Sequence, residues 1–222
     1  MTAPDSPTLR LAIPKGRLVE TTLQYLFRAN LIDADSVDVG RRLVVPLAGA
    51  VDRIGMPLEL LLLKNADVPT YVEHGVADIG ISGTDVLDEQ LPDVYRPLTL
   101  PYGSCRIAIA AREHVRDEQL RALETLRVAT KYPRTARTWF DRQGVSVELI
   151  ELGGSVELAA ALGLSDVIVD LVETGKTLVE NHLRVVEVIG VTEVKVIANR
   201  ALAPDRAAAV DRILLALQEV KP

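Results

Sequence analysis

Cysteine is almost missing: Cys105 stands alone in 222 residues, so no disulfide closes within the chain. His74, His114 and His182 lie far apart, and no Cys/His grouping has zinc-ligand spacing. This usage predicts a reducing, cytoplasmic setting. No apolar run approaches the roughly 18 residues of a membrane helix. The first residues also lack the charged start and apolar core of a signal peptide. Aromatic residues make up only 4%, little material for the stacking platforms that hold single strands. Positive charge is short as well, with 25 Lys and Arg against 31 Asp and Glu and a formal charge of −6. Such a balance argues against a surface built for nucleic acid. A phosphate needs only a few local donors at a helix end, so small anions remain possible ligands.

What is present is a regular alternation of short apolar runs and longer amphipathic segments, the pattern of parallel strands joined by crossover helices in an α/β fold. Strands are predicted at 9–14, 42–47, 58–63, 77–82, 104–111, 127–132, 145–152 and 166–171, with a pair of strands within 184–198. The final helix is announced by Pro204 and by Val210, Ile213, Leu214, Leu217 and Val220 at helical spacing. No Gly/Ser linker divides the chain. Two long extended stretches, 94–111 with Pro97 and Pro101, and 184–198, suit crossings between two lobes. The expected division is 1–101 plus 184–222 for one lobe and 102–183 for the other.

The stretch DVIVDLVETGKTL (166–178) ends in Gly175-Lys176-Thr177, the close of a nucleotide-binding P-loop. That loop requires a glycine five residues before its Gly-Lys, where this chain has Asp170. The P-loop reading fails on geometry. A strand running into Glu173-Thr174-Gly175-Lys176-Thr177 and then a helix still presents N–H groups and hydroxyls to an anion. The flanking carboxylates of Asp170 and Glu173 would repel a bare phosphate but accept hydrogen bonds from sugar hydroxyls, so a ribose 5-phosphate fits. An ordinary helix start, with Thr174 or Thr177 as cap and acids favouring the dipole, fits the same letters.

Glu157, Gly163, Ser165, Ile168, Asp170, Leu171, Thr174, Gly175, Thr177 and Leu178 stand at the spacing of a signature, and LAIPKGRL (11–18), ADIGISGTDVL (77–87), GSCRIAIA (103–110), RVATKYP (127–133) and GGSVELA (153–159) agree in order. In these segments the chain resembles the ATP phosphoribosyltransferases that open histidine biosynthesis. The resemblance implies two α/β lobes like the type II periplasmic binding protein fold, with the active site in the interlobe cleft. The end at residue 222 after a single helix resembles the family's short form, which lacks a C-terminal regulatory domain. This form implies a hetero-oligomer with a regulatory subunit related to histidyl-tRNA synthetase; the charge and the short apolar runs noted above predict neither nucleic acid nor membrane as partner.

The implied reaction joins N1 of ATP to C1′ of phosphoribosyl pyrophosphate and expels pyrophosphate, so positioning and electrostatics carry it. Magnesium is implied on the pyrophosphate, with no protein metal ligand predicted. By the family's pattern Asp170 faces the ribose hydroxyls and Glu173, Thr174, Gly175, Lys176 and Thr177 hold the 5′-phosphate. Lys176 occupies an open position of the signature, so exposure in the first turn of the helix suits it as well. Lys15, Gly16 and Arg17 end the first strand, where open sheets bind ligands, and resemble contacts for triphosphate or pyrophosphate. Ser82, Gly83, Thr84 and Asp85 form either a second cradle or a plain capping turn. Arg106, Lys131, Tyr132, Arg134 and Glu157 are weaker candidates. Two other readings stay open: a type I phosphoribosyltransferase, whose two acids usually adjoin, and a non-catalytic solute-binding module.

Overall fold

The structure, a computed structural model, describes residues 8–33 and 42–220, without the side chain of Arg17. In chain order its elements are β1 (Leu9–Pro14), α1 (Arg17–Arg28), β2 (Val44–Leu47), α2 (Ala50–Ile54), β3 (Leu58–Leu63), α3 (Val68–Glu73), β4 (Ile79–Gly83), α4 (Thr84–Gln90) and β5 (Tyr95–Arg112). They continue with α5 (Asp117–Arg121), β6 (Leu126–Thr130), α6 (Pro133–Gln143), β7 (Val147–Glu151), α7 (Val156–Ala161), β8 (Val167–Val172), α8 (Lys176–Glu180), β9 (Leu183–Ala198) and α9 (Pro204–Glu219). The chain groups into two units, Met1–Gly103 with Glu193–Pro222, and Ser104–Thr192.

In the first unit the strands run β2-β3-β1-β4-β9. β1 lies parallel to both β3 and β4, while β2 and β9 are antiparallel to their neighbours. Near-continuous apolar runs such as LRLAIP and LELLLL, each broken by one charged residue, belong to strands covered on both faces. Alternate residues serve opposite sides. Leu11 and Ile13 pack with Tyr25 and Leu26 of α1 and with Val210, Ile213 and Leu217 of α9. Ala12 turns to Val68 and Val72 of α3 and Leu87 of α4. The Tyr25 hydroxyl donates to the Leu217 carbonyl, 3.2 Å away, which ties α9 to α1.

The second unit orders its strands β5-β8-β6-β7. β6 is parallel to β7 and β8, and β5 is antiparallel to β8. One face sets Ile107, Ile109, Val128, Val167 and Val169 against Ala136 and Phe140 of α6. The other uses the small residues Ala108, Ala110 and Ala129 beneath Val156 and Ala160 of α7, with Leu178 of α8 alongside.

Two strand expectations are corrected. The predicted pair within 184–198 is one continuous strand, β9, and β5 begins at Tyr95 and runs through both Pro97 and Pro101. The parallel pattern is also incomplete, since β2, β5 and β9 pair antiparallel. A long extended run has no local signal for its partner or direction. The break between the units along β9 comes later than 183/184 because the start of this strand belongs to the second unit. There Val186 and Ile189 join the apolar packing, and the Arg184 guanidinium donates to the Val115 carbonyl at 2.8 Å.

Candidate active site

In the second unit the loop after β8 begins from a fully covered strand. Asp170 is 7% exposed. Its Oδ1 accepts the Leu171 N–H at 2.8 Å and lies 3.2 Å from Lys131 Nζ. Parallel pairing explains the second contact: Thr130 of β6 is opposite Val169 of β8, so the next residues, Lys131 and Asp170, meet at the strands' carboxyl ends. Burial pushes the Asp170 carboxyl above the ordinary carboxylate range, the Lys131 ammonium opposes this, and Glu157 on α7 adds to the rise. Among the described residues no partner engages Oδ2. Asp170 thus offers one oxygen to the protein and keeps the other available.

Thr130 supports this corner, and the sequence reading did not single it out. It is fully buried; its hydroxyl donates to the Val169 carbonyl at 2.7 Å and accepts the Tyr132 N–H at 2.9 Å. A threonine closing a strand just before a helix-starting proline was the available signal. Tyr132 is 7% exposed and packs within the apolar core with Ala136 and Phe140, and Lys131 Nζ lies 5.7 Å from its ring centroid.

Beyond Asp170, Glu173, Thr174, Lys176 and Thr177 are exposed. Gly175 precedes α8 in the left-handed region, φ 78°, which favours glycine at this turn. The Lys176 N–H points to Thr174 Oγ1 at 3.4 Å. The first N–H groups of a helix lack intrahelical acceptors, so this turn presents donors outward. Arg106 on β5 is exposed and opposite Val172, which places it beside the same strand end. Arg134, in the first turn of α6, is exposed too. Asp170, Lys131, Glu157 and Arg106 therefore share one region of this unit, whereas Tyr132 belongs to its interior.

The first unit holds the other candidates. Since β1 and β4 are parallel neighbours, the segments after them emerge at one sheet edge. Lys15 and Gly16 are exposed there, and the Lys15 N–H donates to the Leu63 carbonyl at 2.8 Å. Arg17 opens α1. After β4, Ser82 is fully buried, with Oγ unpartnered among the described residues. Thr84 Oγ1 accepts the Glu193 N–H at 3.0 Å. Asp85 is 7% exposed and folds over Gly83, where an added Cβ would fall 2.0 Å from Asp85 Oδ1. A side chain at Gly83 would have to displace the Asp85 carboxylate.

A cavity of about 480 Å³ in the second unit, lined by Leu120, Trp139, Phe140 and Val186, touches none of the candidate residues. It opens on the Ile109 and Val167 face of the sheet, opposite Asp170. Among the described residues no three His, Cys, Asp or Glu side chains group as a metal site, and no helix is long and apolar enough to cross a membrane.

A family model described as HisG, ATP phosphoribosyltransferase, matches residues 64–219. The chain belongs to the ATP phosphoribosyltransferase family. An ATP phosphoribosyltransferase of Caldanaerobacter subterraneus subsp. tengcongensis is 41% identical over 210 residues, 95% of this chain and 96% of that protein. One from Sorangium cellulosum is 46% identical over 193 residues, 87% of this chain and 86% of its own length. The solved ATP phosphoribosyl transferase (HisG:HisZ) complex from Thermotoga maritima contains a chain with TM-score 0.75 and 35% identity, covering 95% of this chain and 96% of that one. The periplasmic aliphatic sulphonate binding protein SsuA from Escherichia coli shares the fold alone, with TM-score 0.62 and 15% identity over 96% of this chain and 72% of its own. The expected type II periplasmic binding protein fold is therefore that of this family member.

Proposed function

We propose that the chain transfers the 5-phosphoribosyl group of phosphoribosyl pyrophosphate to N1 of ATP, the first step of histidine biosynthesis. The observation that carries this reading is the pairing of a half-engaged, buried carboxylate at Asp170 with the turn Glu173–Thr177, in a chain of the ATP phosphoribosyltransferase family. Asp170 Oδ2 accepts from the ribose hydroxyls, and the Thr174, Gly175 and Thr177 turn holds the 5′-phosphate with N–H and hydroxyl donors. The N1 lone pair forms the new bond to C1′ as the bond from C1′ to pyrophosphate breaks, with inversion. No strong base is needed, because N1 loses no proton in the attack. Positive charge gathers on the ribose, so carboxylates nearby favour the transition state.

Lys15, Arg17 and the Ser82–Asp85 segment serve the ATP phosphates or the leaving pyrophosphate. The burial of Ser82 and the engagement of Thr84 by Glu193 leave backbone groups as the stronger contributors there. Magnesium enters as part of the pyrophosphate substrate and neutralises the leaving group. We place the reaction in the cytoplasm, in a hetero-oligomer with a regulatory subunit, as the HisG:HisZ pairing of the Thermotoga relative suggests. A type I phosphoribosyltransferase is disfavoured by the separation of Asp170 from Glu173.

The test is pyrophosphate release from phosphoribosyl pyrophosphate with ATP, guanine or orotate offered in turn, with and without the regulatory subunit. Release with ATP alone is expected. Release with guanine or orotate but not ATP refutes the reading, and binding without release in either condition favours a solute-binding module.

A further inference from the structure

Lys131 is the one cation in contact with the Asp170 carboxylate among the described residues. It reaches Oδ1, the same oxygen that takes the Leu171 N–H, and its side chain is 36% exposed against 10% for Asp170. Thr130 fixes where Lys131 starts, through a buried hydroxyl bonded to both Val169 and Tyr132. Every strong contact to the carboxylate thus falls on one oxygen. Such an arrangement fixes the carboxylate through Oδ1 and leaves Oδ2 without a partner among the described residues.

Accepting the phosphoribosyl reading above, we propose that Lys131 is a positioning residue, acting through Asp170 and not on the phosphate: it keeps Asp170 charged and oriented so that Oδ2 receives the ribose hydroxyls. The charged groups around Asp170 are few. Lys131 comes from the end of β6 and Glu157 from α7. Arg106 stands one pair further along the same face of β5, opposite Val172, and Glu173 follows on the loop. Without Lys131, burial and Glu157 act together against the carboxylate, and among the described residues no other cation is in contact with it. A phosphate ligand would behave otherwise, since its loss weakens binding by a constant factor whatever the state of Asp170.

The experiment is a double-mutant cycle read by calorimetric binding of magnesium phosphoribosyl pyrophosphate to the full chain, from pH 6 to pH 8. Lys131→Met is expected to weaken binding about tenfold at neutral pH, with a further loss toward pH 6 that wild type does not show. Lys131→Arg keeps the charge and is expected to stay within about threefold of wild type. In an Asp170→Asn background, Lys131→Met is expected to add less than about twofold, because the residue through which it acts is already neutral. Equal losses in both backgrounds with an unchanged pH profile overturn the inference and make Lys131 a direct phosphate ligand. Wild-type affinity in both Lys131 variants overturns it as well. Failure of the wild-type chain to bind phosphoribosyl pyrophosphate refutes the functional reading itself, which additive losses leave standing. Thermal melts of each variant separate lost binding from lost folding, and the Arg variant tests the charge even where the Met variant is unstable.

Discussion

Thr130→Val removes a hydroxyl and little else, since valine nearly matches threonine in shape. The hydroxyl is fully buried and holds two bonds, 2.7 Å to the Val169 carbonyl and 2.9 Å from the Tyr132 N–H. Leaving a buried N–H without an acceptor costs about 1–3 kcal/mol, and the bond to Val169 adds about 1 kcal/mol. A total loss of about 2–4 kcal/mol follows, and in a chain of this size that lowers Tm by about 4–16 °C. Thr130→Ser keeps the hydroxyl and forfeits one buried methyl, about 1 kcal/mol. Differential scanning calorimetry of the three proteins at one pH measures both steps. The valine variant is also expected to bind phosphoribosyl pyrophosphate more weakly, because Thr130 anchors the chain where Lys131 leaves β6. Melting of Thr130→Val within about 1 °C of wild type, or a serine variant as unstable as the valine one, would refute the assigned role.

Asp170→Asn is expected to stabilise the fold while weakening phosphoribosyl pyrophosphate binding. Burial raises this carboxyl, so the folded chain holds the proton more tightly than the unfolded chain and ionisation costs stability as pH rises. The gain in Tm is therefore full only above the raised value of the folded chain and fades as pH falls toward the ordinary carboxylate value near about 4; a pH series of melts checks the sign. Gly175→Ala places a side chain at φ 78° with Val172 Cγ1 at 3.9 Å, so space is adequate and the left-handed backbone alone costs about 1–2 kcal/mol. Urea titration is expected to show that loss together with weaker ligand binding. Arg206→Ala removes the cation paired with Asp78, which is 6% exposed and lies 2.7 Å from the guanidinium. A loss of about 3 kcal/mol in chemical denaturation is expected.

Periodicity located most strands because a covered strand needs its apolar run wherever it pairs. β1 and β3 end at the predicted residues, 14 and 63. The long elements were harder to read. Nothing local distinguishes two strands joined at Gly190 from one strand passing through it, and β9 passes through. At the candidate site, the spacing of Asp170, Thr174, Gly175 and Thr177 was readable because a strand-to-helix turn is built from consecutive residues. Lys131 ranked low in the same reading, since an exposed lysine at a helix start is ordinary. Its meaning comes from a neighbour 39 residues away.

The sequence by itself determined the alternation of strands and helices, the family's signature and the exclusion of a P-loop, where Asp170 occupies the place of the required glycine. Each of these depends on residue type at short spacing, which the chain carries whatever its fold. Only the tertiary structure decided which strands lie side by side. The alignment of Thr130 with Val169 brings Lys131 to Asp170, and the pairing of β4 with β9 gives the Thr84 hydroxyl to Glu193. Strand register is a long-range choice, set by which faces must be buried together, and a shift of one residue would turn Lys131 to the opposite face and leave the Asp170 carboxylate without its cation.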